Sequence, residues 1–196
     1  MPLTADTSSS ALERARVALA LVHHPVLDRE GRTITAATTN IDLHDISRSA
    51  YTYGLDAVYV VHPVTAQREL AERIRDHWIR GAGGRRIPDR KAPIGLLRPV
   101  ASIAEALDDF SATQLWTTSA RPQPDALNWQ RAGAALQLAQ ERVVLAFGTA
   151  WGLAPDVHAM AAAQLEPIVS PRPDAYNHLS VRAAVAIILD RLLSGR

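Results

Sequence analysis

Apolar positions in this chain fall into short unbroken runs separated by stretches with helical spacing. Arg16 to His23 (RVALALVH) stops at His24-Pro25 and predicts a buried strand. Val58 to Val61 is β-branched and aromatic and predicts another. Ile94 to Val100, Ala112 to Thr118, Val143 to Phe147 and Leu165 to Val169 complete the set of strand candidates. Between them, Ile41, Ile46, Ala50 and Tyr53 recur at helical intervals, and Gly54 stands where a helix C-cap belongs. Leu70, Ile74 and Trp78 form one stripe across residues 64–80, Ser102 can N-cap a helix running through Leu107, and Trp129 to Gln140 is alanine-rich and helical. A long Ala/Ile/Leu helix closes the chain. Strands alternating with helices predict an α/β fold: a mostly parallel sheet covered by helices on both faces. With no internal repeat and no compact linker, residues 13–196 read as one domain behind a disordered polar lead, residues 1–12.

Two of the predicted strands end in unusual loops. Val143–Phe147 breaks into Gly148-Thr149-Ala150-Trp151-Gly152-Leu153, and Leu165–Val169 opens into the proline-rich stretch from Ser170 to Ser180. In parallel sheets such strand ends are where ligands bind. Gly148 and Gly152 frame a tight turn that lets a backbone approach a ligand, although a plain structural turn uses the same residues. The spacing is neither a dinucleotide fingerprint nor a phosphate-binding P-loop, which argues against NAD and ATP. Asn177 and Ser180 each suit the N-cap of the last helix, while the stiff approach from Pro167 to Pro173 looks built to wrap something. Gly31, in Asp28-Arg29-Glu30-Gly31, suits a positive-φ turn.

Composition narrows the classes of function. The 196 residues include 47% apolar and 21% charged positions, which is a globular balance long enough to bury a full core. There is no cysteine, so no disulfide framework or thiolate metal site exists, and no apolar run reaches the length of a membrane span. The seven histidines include no H-x-x-x-H pair, so no metal site is expected. Met1 to Ser10 lacks a signal pattern, so a cytoplasmic protein is expected. A net charge of +1 means that nucleic-acid binding must come from a local patch. The segment Gly81 to Lys91 reads as a flexible basic loop in which Arg85, Arg86, Arg90 and Lys91, with the neighbouring Arg80, would grip phosphates; a merely solvated loop is the plainer reading.

A third cluster runs from Asn40 to Ser49. Asn40 or Asp42 can cap the helix there, and His44 and Arg48 lie four residues apart on one face with Asp45 beside them. Arg48 is either an exposed helical arginine paired with Asp45 or His44, or a functional cation.

Taken in order, these clusters resemble the three motifs of the SPOUT class of S-adenosylmethionine-dependent RNA methyltransferases. Asp42 to Gly54 is similar to the SpoU/TrmH-type first motif: Arg48, Ser49 and Gly54 match, while Asp42 stands where Asn is usual and Asn40 lies two residues early. Val144 to Leu153 resembles the strand-then-Gly-loop motif, with Ala150 replacing its usual acid. Glu166 through Asn177 and Ser180-Val181 to Ala184 resembles the last, with His178 in the slot of the usual Asn. The phrases TTNIDLHDISRSAYTYG and YNHLSVRAAVAIILDRLL are similar to a bacterial branch of predicted RNA methyltransferases, which stand alone or partner the tRNA guanine-N1 methyltransferase.

The resemblance implies a C-terminal deep trefoil knot, S-adenosylmethionine as cofactor, tRNA or rRNA as substrate, and a homodimer. It implies cofactor contacts from Thr117, Thr118, Ser119, Phe147, Gly148, Thr149, Gly152, Leu153, Pro167, Ile168, Tyr176, Asn177 and Leu179. It also implies that Arg48 acts near the knot, with Asp42, Asn177 and Ser180 as further catalytic candidates. Methylation of a ribose 2′-hydroxyl or of a base nitrogen is compatible with these residues, as are a catalytically silent cofactor-binding subunit and a small-molecule methyltransferase.

Overall fold

The computed structural model describes residues 15–138, 141–174 and 176–194. The polar lead at 1–12, the end of the helix expected to reach Gln140, and Ala175 in the proline-rich loop lie outside the described residues. In chain order the elements are β1 (Arg16–Val22), a small antiparallel hairpin of β2 (Val26–Leu27) and β3 (Thr33–Ile34), α1 (Asn40–Thr52), β4 (Ala57–Val61), α2 (Thr65–Ile79), α3 (Ala82–Arg86), a 3-10 turn (Pro88–Arg90) and α4 (Lys91–Gly95). They continue with β5 (Leu97–Val100), α5 (Ile103–Phe110), β6 (Gln114–Thr117), α6 (Trp129–Leu138), β7 (Arg142–Gly148), α7 (Pro155–Ala159), β8 (Ala163–Gln164) and α8 (Val181–Leu193).

The six long-range strands form one parallel sheet in the order β5-β4-β1-β7-β6-β8. The central pair, β1 and β7, is in register from Arg16 opposite Arg142 to Val22 opposite Gly148. Both are apolar without alternation because helices cover both faces, as a parallel sheet requires. On one face Leu19, Leu21, Val143 and Leu145 meet Leu43, Ile46 and Ala50 of α1, Leu136 of α6, and Val185 and Leu189 of α8. On the other, Ala18, Ala20, Val22, Val144 and Ala146 meet Ile103, Ala106 and Phe110 of α5 and Val157 of α7. The expected α/β fold is present.

Local chemistry accounts for most element ends. Gly54 has φ +73° just past α1, and Gly31 has φ +81° in its turn, both as expected. Ser102 caps α5 through its side chain, and Ser180, rather than Asn177, caps α8 by accepting the Ala183 N–H. The N-cap of α1 is Thr39, not Asn40 or Asp42. Thr39 does not use its hydroxyl on the backbone; it donates to the Asp42 carboxylate instead.

Three expectations are corrected. Residues 81–91 are not a flexible loop but α3, the 3-10 turn and the start of α4. Gly83 and Gly84 are buried there, and a Cβ on Gly84 would stand 1.8 Å from the Trp78 carbonyl oxygen. These glycines serve close packing under α2, which composition alone reads as flexibility. The strand expected from Ile94 starts at Leu97, because the fully buried Ile94 belongs to α4, packed on α1 and α2. The strand expected over Leu165–Val169 is confined to Ala163–Gln164, with Leu165 adding a single bridge to Leu127; Val169 is 73% exposed.

Just past β1, His23 is fully buried, and neither ring nitrogen has a partner among the described residues. Its ring lies 5.4 Å from that of His62, and burial drives its pKa down to about 4. Above the ordinary histidine value both the folded and unfolded states are neutral here. Between about pH 6.5 and 4 the unfolded chain binds a proton that the folded chain refuses, so stability is lost as the pH drops through that window, by about 3 kcal/mol. His62, also lowered by burial, acts in the same sense. Urea unfolding across this window is expected to show that slope in the native protein and a shallower one in His23→Leu; identical slopes contradict the assignment. Gly84→Ala is expected to lose about 1–3 kcal/mol in the same assay through overpacking against α2.

Candidate functional site

Strand order sets where a site can form. From β1 the chain moves to β4 and β5 on one side, whereas β7 is followed by β8 on the other. The loop leaving β1 is bonded to the loop leaving β7, Val26 bridging Leu153 and Leu27 pairing with Trp151 and Gly152. The crevice opens among the loops leaving β6 and β7 and the segment before α8, at the carboxyl ends of the strands, where open α/β sheets bind ligands. A cleft of about 830 Å³ lies there, within the roughly 300–1,000 Å³ typical of small-molecule sites. Its walls are residues 118–121 after β6, residues 148–153 after β7, the segment from Asn177 into the first turn of α8, and Ala36, Ala37, Thr39 and Asp42 at the entry to α1. Phe147, Leu153 and Ile188, all nearly buried, supply an apolar floor.

The loop after β7 is held by its own backbone. Thr149 donates to the Val22 carbonyl through both its N–H and its hydroxyl, each at 3.0 Å, tying the end of β7 to the end of β1. Trp151 N–H donates to Leu27 O, and Leu27 N–H donates to Gly152 O, so the β2–β3 hairpin clamps the turn. The two glycines have different jobs. A Cβ on Gly148 would sit 2.5 Å from the Leu153 nitrogen, inside the loop itself, whereas Gly152 adopts φ +103° with open space around it. Gly148 therefore closes the turn, and ligand approach is not what demands it.

The third wall is tied to the first. Asn177 Nδ2 donates to Ile168 O at 2.8 Å and to Ala120 O at 3.4 Å, which fixes the proline-rich loop across the end of β6. Leu165 N–H donates to Thr117 O, while on the other side Leu127 N–H donates to Gln164 O and Glu166 N–H donates to Leu127 O.

Charge enters the cleft on α1 and α8. Arg182, in the first turn of α8, donates to Asp42 Oδ1 at 3.0 Å and lies 3.6 Å from Asp45 Oδ2. Arg48 is 3.9 Å from the other Asp45 oxygen, so a ladder runs Arg48, Asp45, Arg182, Asp42, Thr39 from the helix surface into the cleft. A cation in a first helical turn opposes the helix dipole, and the buried Asp42 offsets it.

Of the expected site residues, Asp42, Thr118, Ser119, Phe147, Gly148, Thr149, Gly152, Leu153, Ile168, Asn177, Leu179 and Ser180 line the cleft. Thr117 is fully buried beneath it; its hydroxyl pairs at 3.0 Å with Nδ1 of His158, whose ring does line it and which burial shifts toward the neutral form. Pro167 and Tyr176 are not on its walls, and Tyr176 is 63% exposed because the loop turns outward there. Arg48 also lies outside the cleft of its own chain, on the exposed side of α1. Arg80, Arg85, Arg86 and Lys91 are exposed and Arg90 half-buried on α2 to α4, away from the cleft walls. Sequence reasoning missed Arg182, Trp151 and His158. The misplaced cation at the start of α8 was the one local signal for Arg182; His158 carried none. No cluster of metal-ligating side chains occurs among the described residues, and no described helix is long and apolar enough to cross a membrane.

Comparison with known proteins identifies what this geometry belongs to. A family model described as SAM-dependent RNA methyltransferase matches residues 16–194. A tRNA (guanine-N(1)-)-methyltransferase of Oleidesulfovibrio alaskensis is 41% identical over 180 residues, covering 89% of this chain, but the chain spans only 41% of that protein's length. An uncharacterized protein of Aquifex aeolicus is 35% identical over 183 residues, covering 91% of this chain and 88% of its own. Among solved structures, TrmJ from Z. mobilis superposes with a TM-score of 0.62 at 17% identity over 93% of this chain and 69% of that one. The A. aeolicus TrmH/SpoU tRNA modifying enzyme gives 0.56 at 14% identity over 94% and 78%. At such identities these two structures report the fold, which is that of SpoU/TrmH methylases. The match over nearly every described residue makes the conclusion plain: the chain belongs to the family of SAM-dependent RNA methyltransferases.

Proposed function

We propose that this protein binds S-adenosylmethionine in the cleft formed by the loops after β6 and β7 and the segment before α8, and transfers its methyl group to a nucleotide of tRNA. The observation that carries the reading is the cleft itself, at the carboxyl ends of parallel strands in a chain of this family. The name of the Oleidesulfovibrio relative supports tRNA as the substrate class. The residues present fit the cofactor. Two loops offer backbone groups at 118–121 and 148–153, and an apolar floor lies beneath them. The side-chain hydroxyls of Thr118 and Thr149 are already donated to Ala146 O and Val22 O, so recognition falls to main-chain groups. Bound there, S-adenosylmethionine supplies an electrophilic sulfonium methyl group, and the protein supplies position and electrostatics.

Arg182 orients the acceptor nucleotide by its phosphate. Asp42 holds that guanidinium, accepting from Thr39 on one oxygen and from Arg182 on the other, and acts as a positioning residue. The protein works as a homodimer. Arg48 lies between Ile41 and Tyr51, each about half exposed, on a single stripe of α1 with His44, and from that stripe it serves the partner's cleft. The last stretch is threaded as a trefoil knot. What supports this is that residues 164–166 are bonded to both Thr117 and Leu127, the two ends of one segment, with Asn177 bonded to Ala120 within that segment. Arg80, Arg85, Arg86, Arg90 and Lys91 contact RNA phosphates beyond the cleft, a role that suits the exposure of four of them. The site of action is the cytoplasm, where tRNA is modified.

The test is calorimetry with S-adenosylmethionine followed by tritium transfer onto tRNA from a strain lacking the gene. Stoichiometric binding and label in tRNA are expected; digestion to nucleosides then tells a ribose 2′-oxygen from a base nitrogen. Binding without transfer to any RNA indicates a silent subunit and contradicts the proposal. Gly148→Ala, which forces the loop open, is expected to weaken cofactor binding at least tenfold while the fold persists by circular dichroism. Arg182→Ala is expected to raise KM for tRNA about tenfold or more with cofactor affinity retained, since one charge-assisted phosphate contact is worth about 1.5–3 kcal/mol. Wild-type kinetics in Arg182→Ala sinks its assigned role.

A further inference from the structure

Trp151 is a large aromatic on the cleft wall that belongs to neither of the two core clusters. It is 46% exposed, although burying a tryptophan is among the larger gains open to a side chain. Its backbone has no freedom to withdraw the ring. Ala150 is held at φ +51° and Gly152 at φ +103°, and Trp151 N–H is bonded to Leu27 O at 3.0 Å. Among the described residues, the ring that it meets is that of His178 on the opposing loop, with centroids 5.2 Å apart and planes at 81°. Indole and imidazole thus make a corner at the mouth of the cleft, joining the loop after β7 to the loop before α8.

The depth of the cleft divides its occupants. The nearly buried floor suits a small cofactor seated before RNA arrives. The rim, where Trp151 stands, is what an acceptor entering from solvent meets first. An exposed, backbone-fixed aromatic is the surface on which proteins stack an unpaired base, because every base has a π-face to offer.

We propose that Trp151 stacks the base of the acceptor nucleotide, with His178 closing one edge of that subsite. The proposal rests on the RNA methyltransferase reading above. It makes Trp151 a substrate-contacting residue that selects an unstacked nucleotide and presents it beside the methyl donor.

The test compares Trp151→Ala and Trp151→Phe with the wild type. Trp151→Ala is expected to lower kcat/KM for tRNA by about ten- to a hundredfold, the range of base-on-aromatic stacking, and Trp151→Phe to recover most of it. Calorimetric affinity for S-adenosylmethionine is expected to stay within about twofold, and sedimentation to be unchanged. An equal loss of cofactor affinity overturns the proposal by assigning the indole to the cofactor; a shift in oligomeric state overturns it by assigning the indole to an interface. Wild-type methylation by Trp151→Ala also overturns it. If the wild type itself methylates no tRNA, the proposed function fails, and stacking is read separately. A short random-sequence single-stranded RNA, added with S-adenosylhomocysteine, should quench tryptophan fluorescence in the wild type more than in Trp151→Phe. Equal quenching in the two contradicts it.

Discussion

The pairing of β1 with β7 is the constraint from which the site follows. These strands are 120 or more positions apart in the chain, yet they run parallel and in register to their last residues, Val22 and Gly148. Past those residues the two exits stay bonded together, Val26 bridging Leu153 and Leu27 pairing with Trp151 and Gly152, so the loop after β7 is held as one wall of the cleft. Thr149 anchors that loop at its root by bonding twice to Val22. Burial of both strands on both faces supplies the energy that holds this geometry, and the cleft inherits its rigidity from the core beneath it.

Other features are elaborations of this crevice. The β2–β3 hairpin clamps the loop after β7, residues 118–121 with Ile168 and Asn177 to Ser180 form the far wall, and α1 and α8 bring charge to its side. The arrangement separates three tasks. In the proposed function, main-chain groups and an apolar floor take the cofactor, the Arg182–Asp42 pair takes the acceptor's phosphate, and the rim aromatics take its base. A methyl donor carries its own reactivity, so a protein that does no more than place these parts has done what the reaction asks of it.

What the sequence disclosed follows from how locally each feature is encoded. β1, β4 and β7 were legible because a strand buried on both faces is apolar without interruption. Gly54 and Gly31 were legible because each occupies a left-handed position that local turn chemistry predicts. Gly83 and Gly84 misled because close packing beneath α2 and a flexible loop use the same residue. The partnership of Asp42 with Arg182 spans 140 residues and had no local trace beyond a cation in the wrong turn of a helix. At Gly148 the sequence left two readings open, a ligand approach and a plain structural turn, and the close approach of Leu153 supplies the structural one.

The most direct test of the account is a crystal structure of the protein with S-adenosylhomocysteine. The account predicts the ligand between residues 118–121 and 148–153, bonded to main-chain groups over the Phe147–Leu153–Ile188 floor, with Arg182 still held by Asp42. A ligand bound elsewhere, or a cleft that stays empty at saturating concentration, would contradict it.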